Sequence, residues 1–331
     1  MRTLICLGLV LASASPTPVS EPNGAGVQQG TLPERWNPAG PKCMEVADWQ
    51  VHEYNPDFYI VRQSGCLDYE KPFLYLIFGK ERGLLLDTGS RNFPAAEMVT
   101  NVVGKYLERT GRKQIQLVVV HSHSHSDHVA GDAQLKALRN PAVAVTFVPP
   151  EVEATKRFYG IRNWPDDSGS VDLGGRIIDA IPIPGHDVVS LALYDRQTGV
   201  LLTGDSLYPG RLYVKDFDAF VKSTDRLVEF TKGKVVTHIL GCHIEQTATA
   251  YLDYPIGTIY QPHEHVLELS RGHLLELQTA LGALHGVAAE VALSDFTIWP
   301  VPADSHMRQS TKEIFDSVQK QQLEHKWNQP R

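Results

Sequence analysis

The chain has 331 residues, 42% of them hydrophobic, and a formal net charge of −7. That apolar content is enough for the core of one large domain, or of one domain with an extension. The acidic balance excludes a general electrostatic pull toward nucleic acid or anionic membrane.

From the N-terminus, Met1-Arg2, an apolar run over 4–12 and Ala12-Ser13-Ala14 read as a cleavable signal peptide over 1–14, which implies a secreted or periplasmic protein. The apolar run is too short to span a bilayer, and no other segment is long and apolar enough to do so. Residues 15–41 are rich in Pro, Gly and Ser and read as a flexible leader. The main domain is expected over 42–300 and a helical C-terminal extension over 301–331. Once the signal is gone, Cys43, Cys66 and Cys242 remain. In an oxidising compartment Cys43 and Cys66 can pair; the residues equally allow three buried thiols.

Apolar runs predict strands over 58–61, 73–78, 83–86, 115–120, 143–148, 177–182, 190–194, 200–203 and 235–240. Helical patterns fall over 95–109, 132–139, 216–230, 264–284 and 311–322. Strands alternating with helices indicate an α/β protein with a mixed sheet system and outer helices.

One segment stands apart. The 115–120 strand runs into His121-Ser-His-Ser-His-Ser-Asp-His128. His123, His125, His128 and Asp127 then share one tight strand-to-helix loop. Imidazoles held this close repel once protonated, whereas a divalent cation uses all four groups together.

His123-x-His125-x-Asp127-His128 resembles the signature of the metallo-β-lactamase superfamily. Further matches follow in that family's order: Leu84-Leu-Leu-Asp-Thr-Gly89, Pro184-Gly-His-Asp187, Leu202-Thr-Gly-Asp-Ser206 and Gly241-Cys-His-Ile-Glu245. The resemblance implies the αβ/βα four-layer sandwich, two mixed β-sheets flanked by helices, with metals at one edge. It implies one metal position formed by His123, His125 and His186, a second by Asp127, His128 and His243, and Asp205 as bridge. Two zinc ions are the expected cofactors, since imidazole and carboxylate suit zinc; manganese or iron are the alternatives. A water shared by two cations loses its proton near neutral pH and becomes the nucleophile. Asp127 would both hold the second metal and pass a proton to the leaving group. Asp87 would hold a ligand in place rather than touch metal.

The implied function is a dinuclear metal-dependent hydrolase cleaving an ester, lactone or thioester of a small molecule. Tyr208 stands three residues beyond Asp205, as in lactonases of the superfamily, where its hydroxyl would donate to the substrate carbonyl oxygen. Arg211, Tyr213 and Lys215 are candidates for a carboxylate or phosphate, or are solvated surface. The closing motif departs from the Gly-His-Glu context of the glyoxalase II branch. Asp205 at the bridging position leans away from dedicated β-lactamases, which stay an alternative, as do phosphodiesterases. A non-catalytic binding protein of this fold would be expected to have lost ligands, and all seven are present. His121 reads as a residue behind the ligands or a neutral neighbour of the motif, and His238 as core or surface. His263-Glu-His265 is expected to open a helix and cap it or line the cleft. Residues 158–165 read as a lid or as an aromatic-anchored surface loop. The only partner implied is a small-molecule substrate, and oligomeric state is not specified.

Overall fold

The computed structural model describes residues 26–37, 39–40 and 42–301. The expected signal peptide and the helix over 311–322 lie outside the described residues.

The chain begins its first sheet with three antiparallel connections: β1 (Trp49–Asn55), β2 (Phe58–Gln63), β3 (Phe73–Phe78) and β4 (Arg82–Leu86). Helix α1 (Ala95–Thr110) then crosses over to β5 (Ile115–Val120), parallel to β4. Parallel neighbours need such a crossover. α1 stops where Gly111 takes a left-handed conformation at φ 70°. Two short helices, α2 (Ser126–Val129) and α3 (Asp132–Ala137), lead to β6 (Val143–Phe147), which completes the six-stranded sheet.

After α4 (Val152–Tyr159) come β7 (Gly169–Asp172), β8 (Ile177–Pro182), β9 (Leu191–Asp195) and β10 (Val200–Gly204), an antiparallel run in the second sheet. β11 (Arg211–Val214) leaves that sheet. Helix α5 (Phe217–Thr231) follows, its N-terminus capped by the Asp216 carboxylate accepting from the Ala219 N–H. β12 (His238–Gly241) returns parallel to β10, and β13 (Glu268–Leu269) pairs on its outer side. α6 (Arg271–Ala283), β14 (Val291–Ala292) and β15 (Thr297–Pro300) end the described chain. β11, β15 and β14 form a third, small sheet beyond the two that the resemblance implied.

Period-2 alternation explains the layers. In β2, β4 and β5, Ile60, Leu84, Leu86, Val118 and Val120 face inward and meet Ile178, Ala180, Leu193 and Leu202 of the second sheet. The intervening Val61, Leu85, Leu117 and Val119 face outward onto Met98, Val99 and Val103 of α1. On the far side, Ile181, Ala192, Leu201 and Ile239 pack under Phe220 and Leu227 of α5 and Leu274 and Leu277 of α6. Helix, sheet, sheet, helix is the expected four-layer sandwich. Strands buried on both faces read as continuous apolar runs, which made them legible.

Two expectations need correction. Residues 264–270 are not helical. Glu268 and Leu269 pair with β12, and Ser270 caps α6 by accepting from the Gly272 N–H while its own N–H donates to His273 Nδ1. Leu267 is buried just before this short edge strand and Leu269 within it, so their spacing imitated a helix. The flexible-leader reading also fails for the described part of 15–41. The Gln28 N–H donates to the Gln197 carbonyl and the Thr31 N–H to the Tyr54 carbonyl. Trp36 is buried, edge-on to Phe73 at 4.9 Å. The Cys43–Cys66 disulfide fastens the next stretch to the loop after β2. One aromatic anchor and a crosslink outweigh a loop-like composition.

Trp36→Ala should therefore cost about 3 kcal/mol of stability, read as a lower denaturant midpoint; an unchanged midpoint would show that the leader is not part of the core.

Candidate metal centre

The functional side chains leave the carboxyl ends of strands. β5 runs into the loop of His121 to His128. β8 and β9 are joined by the turn that holds His186. β10 delivers Asp205, and β12 delivers His243. Two glycines make these turns possible. Gly204 has φ +53°, and a Cβ there would lie 2.9 Å from the Ser122 Cβ. Gly185 has φ +144°, with a Cβ meeting the Phe220 backbone at 2.6 Å.

Seven groups converge in two clusters that share one carboxylate: His123, His125, His186 and Asp205; and Asp127, His128, His243 and Asp205. His125 Nδ1 is 2.9 Å from His123 Nε2 and 3.0 Å from His186 Nε2. Asp205 Oδ2 is 3.6 Å from His123 Nε2 and 3.5 Å from His186 Nε2. In the other cluster, Asp127 Oδ2 is 3.0 Å from His128 Nε2 and 3.3 Å from His243 Nε2. Asp205 Oδ2 is 3.4 Å from His128 Nε2, and its Oδ1 is 3.3 Å from His243 Nε2. Tetrahedral donors about 2.0–2.1 Å from a zinc ion lie about 3.3 Å from one another. The observed spacings fit such an ion. Buried His128 Nε2 and Asp205 Oδ1 also lack hydrogen-bond partners, as atoms meant for a cation would.

The far sides of the imidazoles argue the same way. Nδ1 of His128 meets Asp87 Oδ2 at 2.9 Å, and Nδ1 of His243 meets the Glu70 carbonyl at 2.9 Å. Nδ1 of His186 meets the Tyr213 carbonyl at 2.7 Å, and Nδ1 of His123 the Ser122 hydroxyl at 3.0 Å. Each acceptor suits a proton on Nδ1 and turns Nε2 inward, where a cation would take its lone pair. Asp87 is fully buried at φ +67°. It also accepts from the Ser122 N–H at 2.7 Å, the Ser122 hydroxyl at 2.8 Å and the Cys242 thiol at 3.4 Å.

Electrostatics divide the five imidazoles. Burial lowers His123, His125 and His186, with His125 brought down to about 4. Burial also opposes charge on His128 and His243. There the Asp127 and Asp205 carboxylates outweigh it and raise both well above the usual histidine range. Burial likewise pushes Asp127 and Asp205 upward, but those two imidazoles win and hold both carboxyls well below the usual range. Burial raises the Cys242 thiol, so it stays protonated beside Asp87.

A cleft of about 210 Å³ opens over the centre, lined by His125, Asp127, His186, Asp205 and His243 together with Glu70, Tyr208, Tyr213, Lys215, Glu245 and Val301. Tyr208 lines it as expected, but its single proton goes to the Arg211 carbonyl, with Glu245 Oε2 at 3.3 Å. The expected donation to a substrate oxygen therefore has no free proton. Arg211 is buried between Glu245 and Asp253, each 3.6 Å away, and is not an anion site.

Other sequence candidates fall outside the cleft. His121 Nε2 meets Asp132 at 2.9 Å, and His238 Nδ1 meets the Tyr54 hydroxyl at 3.0 Å. His265 Nε2 pairs with Asp295 at 2.9 Å, and the His263 N–H donates to the Tyr254 hydroxyl at 2.9 Å. Neither opens a helix, because α6 begins at Arg271. Phe158 and Trp164 pack against the core between the sheets, so 158–165 is an anchored segment rather than a lid. Glu70 was missed. Its contact is a backbone carbonyl distant in sequence from His243, for which no residue pattern exists.

The sequence profile of the Metallo-beta-lactamase superfamily matches residues 71–279, more than half of the chain. The chain belongs to this superfamily and is a hydrolase. Among curated relatives, it is 22% identical over 232 residues to the bovine (Bos taurus) acyl-coenzyme A thioesterase MBLAC2, covering 60% of this chain and 83% of that protein. It is 30% identical over 125 residues to a hydroxyacylglutathione hydrolase of Rhizobium meliloti, covering 37% and 46% respectively. Among solved structures, a metallo-beta-lactamase from Pontibacter korlensis superimposes with a TM-score of 0.48 at 16% identity, covering 71% of this chain and 99% of that one. Among the described residues, no helix is long and apolar enough to cross a membrane.

Asp87→Ala strips an acceptor from His128, Ser122 and Cys242 at once. Metal affinity should fall about 10- to 100-fold, measured by metal analysis after dialysis against a weak chelator. Full metal retention would show that Asp87 does not orient the centre.

Proposed function

We propose that the chain is a dinuclear zinc hydrolase that cleaves an ester or thioester of a small molecule, with thioesters the favoured class. The observation behind this reading is Asp205, whose carboxylate lies within 3.3–3.6 Å of imidazole nitrogens from both clusters. A carboxylate so placed suits a pair of cations rather than one. His123, His125 and His186 would hold the first ion and Asp127, His128 and His243 the second, with Asp205 between them. An imidazole and carboxylate donor set suits zinc, with manganese or iron as the other ions it would accept. Two such ions polarise a scissile carbonyl and lower the pKa of water.

The chain's own residues supply the rest. Asp127 lines the cleft and is partly exposed there, so its carboxylate can take a proton from attacking water and return it to the leaving group. Tyr213 and Val301 give the cleft walls on which an acyl group rests, and its volume suits the small part of a substrate around the scissile bond. The thioester preference draws on the two curated relatives, an acyl-coenzyme A thioesterase and a hydroxyacylglutathione hydrolase. The lactone reading loses its support with the Tyr208 proton committed elsewhere.

We also propose that the protein is exported. The N-terminal pattern of 1–14 and the Cys43–Cys66 bridge support this, because such bridges persist in oxidising compartments. Deleting residues 1–14 should abolish export; efficient secretion of the shortened chain would overturn this.

Asp127→Asn should lower kcat on a generic aryl thioester roughly a thousandfold while the chain stays folded, and chelation of the wild type should abolish turnover until zinc is restored. Turnover that survives both treatments would end the hydrolytic reading.

A further inference from the structure

Four of the five imidazoles turn Nε2 toward the candidate ions and back Nδ1 onto an acceptor. His125 is reversed. Its Nδ1 lies 2.9 Å from His123 Nε2 and 3.0 Å from His186 Nε2, so Nδ1 is the inward nitrogen and Nε2 the outward one. A neutral imidazole that gives its Nδ1 lone pair to a cation carries its proton on Nε2, and that proton needs an acceptor. Two charged side chains meet Nε2: the Lys215 ammonium, and the Asp187 carboxylate with Oδ2 at 3.6 Å. An ammonium only donates, whereas a carboxylate accepts.

We propose that Asp187 positions His125 in the first metal position, as Asp87 positions His128 in the second. This rests on the dinuclear reading above and gives each ion one outer carboxylate.

Three observations support the assignment. First, the carboxylate is already fixed. Its Oδ1 accepts from the Val189 N–H at 2.9 Å and its Oδ2 from the Ser124 hydroxyl at 2.9 Å. A group held by two bonds is set for a third partner. At 3.6 Å the His125 contact is longer than a hydrogen bond, and it shortens to one once Nε2 carries the proton.

Second, Asp187 joins the segments that supply this one position. Ser124 stands between His123 and His125, and Asp187 follows His186 directly. The carboxylate thus ties the loop after β5 to the turn between β8 and β9, and those two segments carry all three histidines.

Third, the other two histidines of the first position have uncharged supports, the Ser122 hydroxyl behind His123 and the Tyr213 carbonyl behind His186. In the second position the Asp87 carboxylate lies behind His128 and the Glu70 carbonyl behind His243. A carboxylate behind an imidazole orients the ring and raises its basicity toward the ion.

The test loads the full chain with cadmium for NMR and, separately, measures zinc affinity by chelator competition. The wild type should give two cadmium resonances, and His243→Ala, which removes a donor from the second position, assigns them. The variants are Asp187→Ala and Asp187→Asn. An Asn side chain has one accepting oxygen, so it can keep the bond to the Val189 N–H but then turns an amino group toward His125. In both variants the first-position resonance should shift or vanish while the second stays, and zinc affinity at that position should fall about 10- to 100-fold. Unchanged resonances and affinity overturn the proposal. So does full recovery in Asp187→Asn of what Asp187→Ala loses, since a turn-forming role alone is rescued by the amide, and so does loss of both resonances in Asp187→Asn. If the wild type holds a single ion, the dinuclear reading fails, and Asp187 keeps its role only if that ion sits on His123, His125 and His186 and is weakened in both variants.

Discussion

Asp205 presents one carboxylate to two groups of imidazoles, and the rest of the architecture answers to that arrangement. Five histidines and two aspartates lie in one partly buried place. Burial works against every charge among them. Without a cation the cluster can only balance itself, with His128 and His243 drawn toward the protonated form by Asp127 and Asp205. The proposed pair of divalent ions would replace those protons and give every donor a partner, since metal binding and proton release are linked in such sites.

Holding seven donors to within tenths of an ångström demands a rigid base. The sandwich provides it by ending its central strands on one edge, so the candidate ligands ride on loops whose roots are buried strands. Asp87 is the clearest tie between scaffold and site. It lies at the end of β4, in the middle of the first sheet, and accepts from residues on two other ligand loops. Backbone carbonyls of Glu70 and Tyr213 do the same for His243 and His186. The Cys43–Cys66 bridge and the buried Lys71 ammonium, which donates to the Tyr69 and Thr258 carbonyls, brace the loop that carries Glu70.

Legibility followed the range of the interaction. His123, His125, Asp127 and His128 sit within six residues, so their chemistry was visible in the sequence alone. His186, Asp205 and His243 came into view only through the order of family motifs, because a lone histidine after a strand has many uses. The acceptors behind the imidazoles were invisible wherever they are backbone, since any residue offers a carbonyl. Central strands were readable from unbroken apolar runs. β1, half-exposed at the sheet edge with polar residues between apolar ones, was not. The same blind spot produced the misplaced start of α6, where Leu267 and Leu269, buried before and within a two-residue edge strand, imitated a helical stripe. Tyr208 shows the limit of a spacing argument: the residue is in the cleft, but its proton points to Arg211.

The most direct measurement is anomalous diffraction at the zinc edge from crystals of the zinc-loaded protein. The account predicts two peaks per chain, about 3.5–4 Å apart, one flanked by His123, His125 and His186, the other by Asp127, His128 and His243, with Asp205 touching both. A single peak, or two that do not share Asp205, would contradict it.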